Sequence, residues 1–150
     1  MLDPKRVRPP HILFLMIAAA ALLNSFLRPV NVIPAWGHVL GAGLFFIGMA
    51  GLSAARMQFK KHATPVRHSE TPVTLVTDGL FAYSRNPMYV GALTMCFGLA
   101  LWVGTWPFFL IPALLLILLK FVFIPWEEKL MAELFGEQYN EYVKRHRRWL

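Results

Sequence analysis

Four runs of almost unbroken apolar residues dominate the chain, at about 11–27, 35–57, 87–103 and 107–124. An amphipathic helix on a soluble protein would return to polar residues at every turn, and these runs do not. The shortest is 17 residues long, within the range that spans a bilayer core as helix. Helix punctuation agrees with those limits. Pro9-Pro10 precedes the first run and Arg28-Pro29 follows it, while Asn86-Pro87 offers an N-cap and a first-turn proline to the third. Pro112 falls near the start of the fourth, where a missing N–H costs least. Beyond Pro125 the pattern changes. Leu130, Leu134, Phe135, Tyr142 and Val143 recur at three- and four-residue spacings opposite Glu133, Glu137, Glu141 and Lys144, which predicts an amphipathic helix over 126–148 lying on the membrane surface or against a loop. In the polar connection 58–86, Val73 to Val76 form a short β-prone run ahead of Asp78-Gly79, which predicts an extended segment and a turn at a pocket mouth. The expected fold is therefore an all-α integral membrane domain occupying 1–150, with four transmembrane helices and a C-terminal cytosolic amphipathic helix.

Composition strengthens this picture, because 57% of the 150 residues are apolar and 15% charged. Charge placement adds an orientation. Of fifteen Lys and Arg, three lie in the N-terminal stretch (Lys5, Arg6, Arg8), five between Arg56 and Arg85, and six from Lys120 onward; only Arg28 is on the alternate side. The excess of cations on one side predicts that both termini and the long connection are cytosolic, with the protein in the cell's inner membrane. All eight acids share that side. Trp36, Trp102 and Trp106 would mark the outer interface and Trp126 the inner one. The first run is expected to be a retained helix rather than a cleaved leader, since no small-residue cleavage site follows it.

A net charge of +7 invites a nucleic-acid partner, but the cations flank apolar runs and form no stripe interleaved with aromatics on a polar element. Nucleic acid is therefore not expected. The lone Cys96 lies inside an apolar run, which excludes a disulfide framework and a thiolate metal cluster. Gly37, Gly41, Gly48 and Gly51, with Gly91 and Gly98 in the third run, predict close helix packing.

The spans carry no embedded acid, which argues against an ion-coupled transporter. Lys120 is the one ionisable group inside a run, and its place about one turn from the cytosolic end also allows it to snorkel. The specific-looking polar residues fall in two cytosolic stretches. In the first, Arg85 adjoins the start of the third span, and a helix N-terminus beside a guanidinium favours an anion, although Asn86-Pro87 by itself only begins a helix. In the second, Glu127 and Glu128 open the last helix, where acids also simply suit the macrodipole.

Taken together, Gly79-Leu80-Phe81-x3-Arg85-Asn86-Pro87-x-Tyr89-x-Gly91 followed by Glu127-Glu128 and Phe135-Gly136-x2-Tyr139-x2-Tyr142 resembles the isoprenylcysteine carboxyl methyltransferase and phospholipid methyltransferase superfamily, over about residues 56–150. The resemblance implies a membrane enzyme that uses S-adenosylmethionine and methylates a lipophilic acceptor reaching it from the bilayer, among membrane lipids. It implies cofactor-binding roles for Val73, Thr74, Leu75, Val76, Asn86, Pro87, Met88, Tyr89 and Glu127; Phe81, Arg85 and Glu128 are expected beside them, with the cofactor's carboxylate near Arg85 and its ammonium at Glu127 or Glu128. This chain departs from the pattern in three places: Phe81 stands where the family usually has Tyr, Asn86 where the carboxyl methyltransferases often have His, and Phe123 where they have an Arg that binds substrate. Phe123 and Lys120, three residues before it, are the expected substrate-side positions, and Phe123 disfavours an acceptor that carries a carboxylate. The rival reading is a non-catalytic four-helix membrane protein, a scaffold subunit or small exporter, which would leave the two polar stretches unexplained.

Overall fold

The computed structural model describes residues 9–64 and 72–150, so Lys5, Arg6, Arg8 and Arg67, which contribute to the charge count, lie outside the described residues. The chain forms α1 (Pro9–Leu27), α2 (Ala35–Lys61), a 3-10 turn at Gly79–Ala82, α3 (Pro87–Val103), α4 (Trp106–Leu118), a π-helical turn at Leu119–Phe123, and α5 (Ile124–Arg145). The described residues contain no strand: where the sequence predicts the β-prone run, Val73 and Thr74 form a bend and Leu75 to Thr77 continue as irregular chain. Among the described residues, three helical stretches are long and apolar enough to cross a membrane: Pro10–Leu27, Ala35–Lys61 and Trp106–Arg145. α3 is a shorter apolar helix.

α3 packs against both α2 and α4, and α1 packs against α4. The buried cluster of the bundle joins Ala20 of α1, Cys96 and Ala100 of α3, Phe108, Ile111 and Leu115 of α4, and Leu119, Phe123 and Ile124 beyond it. Large apolar side chains cover the outside, Phe14 and Leu22 each at 71% exposure, as a lipid-facing surface requires.

The α2–α3 contact is made backbone to backbone. A Cβ added at Gly48 would lie 2.6 Å from the Gly91 carbonyl oxygen, and one at Gly41 would lie 2.8 Å from that of Gly98. The reciprocal positions are as tight: a Cβ at Gly91 would sit 2.7 Å from the Leu52 nitrogen. Lipid is as apolar as a side chain, so close van der Waals packing is what holds such helices together. Of the glycines singled out in the sequence, Gly41, Gly48, Gly91 and Gly98 form this seam; Gly37 instead sits against Ile33, and Gly51 has only the Gly91 Cα, 4.0 Å away. At the end of the bundle remote from most of the charge, Asn31 Nδ2 donates to His38 Nε2 (2.9 Å), and His38 Nδ1 lies 2.7 Å from the Trp102 carbonyl. Thr105 Oγ1 donates to Asn24 Oδ1 at 2.6 Å. These contacts fasten the α1–α2 connection over the turn between α3 and α4.

The last part of the chain departs from the expected single helix over 126–148 in three ways. α4 does not stop at Pro125 but passes through the π turn into α5, where Pro125 occupies the first turn and needs no donor. α5 is broken at Gly136, whose φ of 52° and ψ of −125° lie outside the helical region and suit a residue without Cβ. The helix then ends at Arg145, because His146 turns extended (φ −124°, ψ 138°). The final residues fold back toward the start of α3, where the Arg85 N–H donates to the Arg147 carbonyl at 2.9 Å and Asn86 Nδ2 to the Arg148 carbonyl at 2.9 Å. Two long-range hydrogen bonds replace the next helical turn.

Candidate functional site

Three segments meet at the end of the bundle where the charge collects: the irregular stretch from Pro72 through the 3-10 turn, the start of α3, and α5 from Trp126 to Tyr142. Each is tied in place. Gln58, near the end of α2, receives the Leu80 N–H on Oε1 (3.1 Å) and donates Nε2 to the Asp78 carbonyl (3.3 Å). His62 lies 2.9 Å from the Asp78 carboxylate, and Thr64 Oγ1 donates to the Thr74 carbonyl at 3.3 Å. Val76, Phe81 and Ala55 pack together, with Phe59 and Met88 against them. Leu75 packs with Tyr139 and Tyr142. The Gly136 break precedes both tyrosines, and Tyr142 donates its buried hydroxyl to the Phe81 carbonyl at 2.7 Å. Burial holds the Tyr142 phenol well above its ordinary range, so it is a neutral donor.

Between these segments is a cavity lined by Phe59, Pro72, Leu75, Val76, Phe81, Arg85, Asn86, Pro87, Met88, Tyr89, Trp126, Glu127, Glu128, Leu130, Met131, Tyr139 and Tyr142. It admits the centres of water-sized molecules over about 160 Å³. That is well above the roughly 10–15 Å³ a single water needs, so the cavity has room for several waters or part of a small organic ligand. Its walls are mostly aromatic and aliphatic, with the charged groups gathered on one side.

That charged side is ordered by ion pairs. Glu128 lies between two guanidiniums: Arg85 Nη1 is 3.0 Å from Oε1, while Arg148 donates Nε to Oε1 at 3.0 Å and Nη2 to Oε2 at 2.6 Å. Arg85 keeps only 10% side-chain exposure, and its enclosed Nε has no hydrogen-bond partner among the described residues. Beside it, burial and then the Glu128 charge push the Tyr139 phenol upward, against the pull of Arg85, which hydrogen-bonds it. Tyr89, in the first turn of α3, donates its hydroxyl to Glu127 Oε1 at 2.7 Å. Asn86 N–H donates to Ser84 Oγ at 3.1 Å, which fixes the entry into the helix.

Of the residues expected at the site, Leu75, Val76, Phe81, Arg85, Asn86, Pro87, Met88, Tyr89, Glu127 and Glu128 line this one cavity. Val73 and Thr74 do not: both side chains are exposed, Val73 at 72%. Successive residues Leu75 and Val76 are both buried because they pack into different clusters, Leu75 against Tyr139 and Tyr142 and Val76 against Ala55 and Phe81. Phe123 is 2% exposed and packed in the bundle core, away from the cavity wall. Lys120 is exposed on the outside of the π turn, with Nζ 5.3 Å from the Phe121 ring centre. Arg148 was not foreseen as part of the site. Near a helix end with Lys144, Arg145 and Arg147 it is one cation of several, and no local pattern sets it apart.

The family model for phospholipid methyltransferases matches residues 36–138, from the start of α2 to just before Tyr139. This chain belongs to the phospholipid methyltransferase family. Among the family member's relatives is the protein-S-isoprenylcysteine O-methyltransferase of Schizosaccharomyces pombe (strain 972 / ATCC 24843), 35% identical over 71 residues. That stretch is 47% of this chain and 30% of the yeast protein, so the chain aligns with less than a third of that relative's length. No solved structure matches it. The family model includes most of the cavity wall and excludes Arg148.

Proposed function

We propose that this phospholipid methyltransferase family member is an S-adenosylmethionine-dependent methyltransferase that binds its cofactor at the cytosolic face and draws a lipophilic acceptor from the bilayer. The observation that carries the reading is the convergence of Arg85–Tyr89 and Glu127–Glu128 on one cavity whose remaining walls are apolar and aromatic. That set of groups fits the cofactor's parts. The adenosyl end suits walls such as Phe59, Val76, Phe81 and Met88. The amino-acid end suits the charged side, its carboxylate toward Arg85, which has an unsatisfied buried donor, and the first turn of α3. Glu128 is already spanned by two guanidiniums, so the ammonium is assigned to Glu127, which Tyr89 orients.

When bound, S-adenosylmethionine would supply a methyl group already activated by its sulfonium, held by Arg85 and Glu127 at its amino-acid end. The protein's contribution is then mainly placement. A well-oriented pair of reactants can save up to roughly 7–11 kcal/mol of barrier, and the rigid α3 start and the α5 shoulder are suited to that task. Trp126, Leu130 and Met131 form an apolar wall of the cavity, fit for a lipophilic acceptor. In this reading the chain crosses the membrane four times, with the cavity and both termini cytosolic, as the charge distribution favours.

Direct binding to detergent-solubilised protein tests the proposal. Saturable binding of S-adenosylmethionine, competed by S-adenosylhomocysteine, is the expected result. A folded preparation that binds neither would refute it.

A further inference from the structure

The chain's last residues do not line the cavity, yet they bind three residues that do, Arg85, Asn86 and Glu128. After His146 the chain runs back across the start of α3. The Arg147 and Arg148 carbonyls receive Arg85 N–H and Asn86 Nδ2, and Trp149 packs against the bundle core. Arg148 then grips Glu128 through both Nε and Nη2 in a side-on fork, the geometry in which a guanidinium best matches a carboxylate. The result is a cluster of two cations sharing one anion, Arg85–Glu128–Arg148, with Arg85 the most buried member.

We propose that Arg148 is a positioning residue for anion binding: by gripping both oxygens of Glu128 it confines the Arg85–Glu128 pair to the single contact at Oε1 and leaves Arg85 with charge to offer a ligand carboxylate. This rests on the methyltransferase reading, in which that carboxylate is the one on the cofactor's amino-acid end. The charge arithmetic is direct. With Arg148 present, the cluster of Arg85, Glu128 and Arg148 carries one net positive charge. Without Arg148 its charge is zero, and Glu128, relieved of its fork, closes on Arg85. The unpartnered Arg85 Nε shows that this guanidinium is not saturated in the present arrangement. A guanidinium that is nine-tenths buried and short of one partner gains more from an incoming carboxylate than an exposed one would.

The experiment measures two ligands on the full chain in detergent: S-adenosylhomocysteine, which carries the amino-acid end, and 5′-methylthioadenosine, which lacks it. Arg148→Gln should weaken S-adenosylhomocysteine by roughly tenfold or more, the worth of one charge-assisted contact, and leave methylthioadenosine within about twofold. Glu128→Gln added to Arg148→Gln restores the cluster's positive charge and should recover most of the lost affinity. A residue that merely braced the fold would give the opposite result, since the second substitution removes a further interaction. Arg148→Lys retains the charge without the fork and should bind S-adenosylhomocysteine more tightly than Arg148→Gln. Should Arg148→Gln not fold, Glu128→Gln alone decides the matter: its ligand-free melting temperature falls because Arg85 loses its partner, while S-adenosylhomocysteine binds at least as tightly as to wild type. Equal loss of both ligands in Arg148→Gln, no recovery in the double variant, or tenfold weaker binding in Glu128→Gln would overturn the role assigned to Arg148. Wild-type protein that binds neither ligand would overturn the methyltransferase reading first, and this one with it.

Discussion

The α2–α3 seam supports a quantitative prediction, because the site is built on it. Gly48→Ala places a methyl 2.6 Å from the Gly91 carbonyl oxygen and 2.7 Å from the Met95 Cα. Ordinary contacts of that kind lie near 3.5–4.0 Å, so the helices must part by about 1 Å. Backbone atoms cannot turn aside as a side chain would. Overpacking a tight interior typically costs about 1–3 kcal/mol, and the upper end is expected here because separation loosens the whole seam. The same movement draws the start of α3, with Arg85 and Tyr89, away from the Gln58 clamp on α2. Ligand affinity should therefore fall together with stability. Thermal unfolding in detergent, with and without S-adenosylhomocysteine, measures both quantities. Gly43→Ala is the internal control, since a Cβ there meets nothing within 4 Å. Alanine is the better helix former by about 1 kcal/mol, so that variant should be as stable as wild type or more so. Wild-type stability in Gly48→Ala, or equal losses in the two variants, would refute the packing argument.

Three further outcomes follow from the site and its setting. Glu127→Gln and Tyr89→Phe should each weaken S-adenosylmethionine by about ten- to a hundredfold in a direct binding assay, the worth of about 1.5–3 kcal/mol for a charge-assisted hydrogen bond, and wild-type affinity in both would remove them from the site. Tyr142→Phe leaves the Phe81 carbonyl without its donor and should cost about 1–3 kcal/mol in thermal or denaturant unfolding. Because burial raises that phenol, the bond's contribution is fully present below an unfolded pKa near 10 and is lost only as pH rises through the higher folded value; the wild-type advantage should thus be constant between about pH 6 and 9. In a background without Cys96, a single cysteine at the exposed Val30 should react with a membrane-impermeant reagent from outside intact cells and one at the exposed Thr77 should not, while labelling at Thr77 would reverse the proposed orientation.

What the sequence by itself determined about this protein was written in short-range physics. Apolar runs too long and too continuous for a soluble fold are legible because bilayer thickness sets a minimum helix length, and α1 and α3 end where those runs end. Asn86-Pro87 marked the start of α3 because a first-turn proline is a local signal, although the Asn86 side chain does not cap the helix and donates to the Arg148 carbonyl instead. The two polar stretches were legible as motifs, and ten of the expected site residues share one cavity. The tertiary structure decided the rest. Leu75 and Val76 face the cavity while Val73 and Thr74 face away, which depends on how the segment bends beneath Tyr139 and Tyr142. Phe123, a position suggested by motif spacing, is turned into the bundle core by the π turn, which shifts every side chain after it around the helix axis. Arg148 enters the site only because the chain reverses at His146 and exchanges hydrogen bonds with residues more than sixty positions earlier. No periodicity encodes such a return, since its stability comes from partners far away in the sequence: a carboxylate on α5, an amide side chain at the start of α3, and a core against which Trp149 can pack.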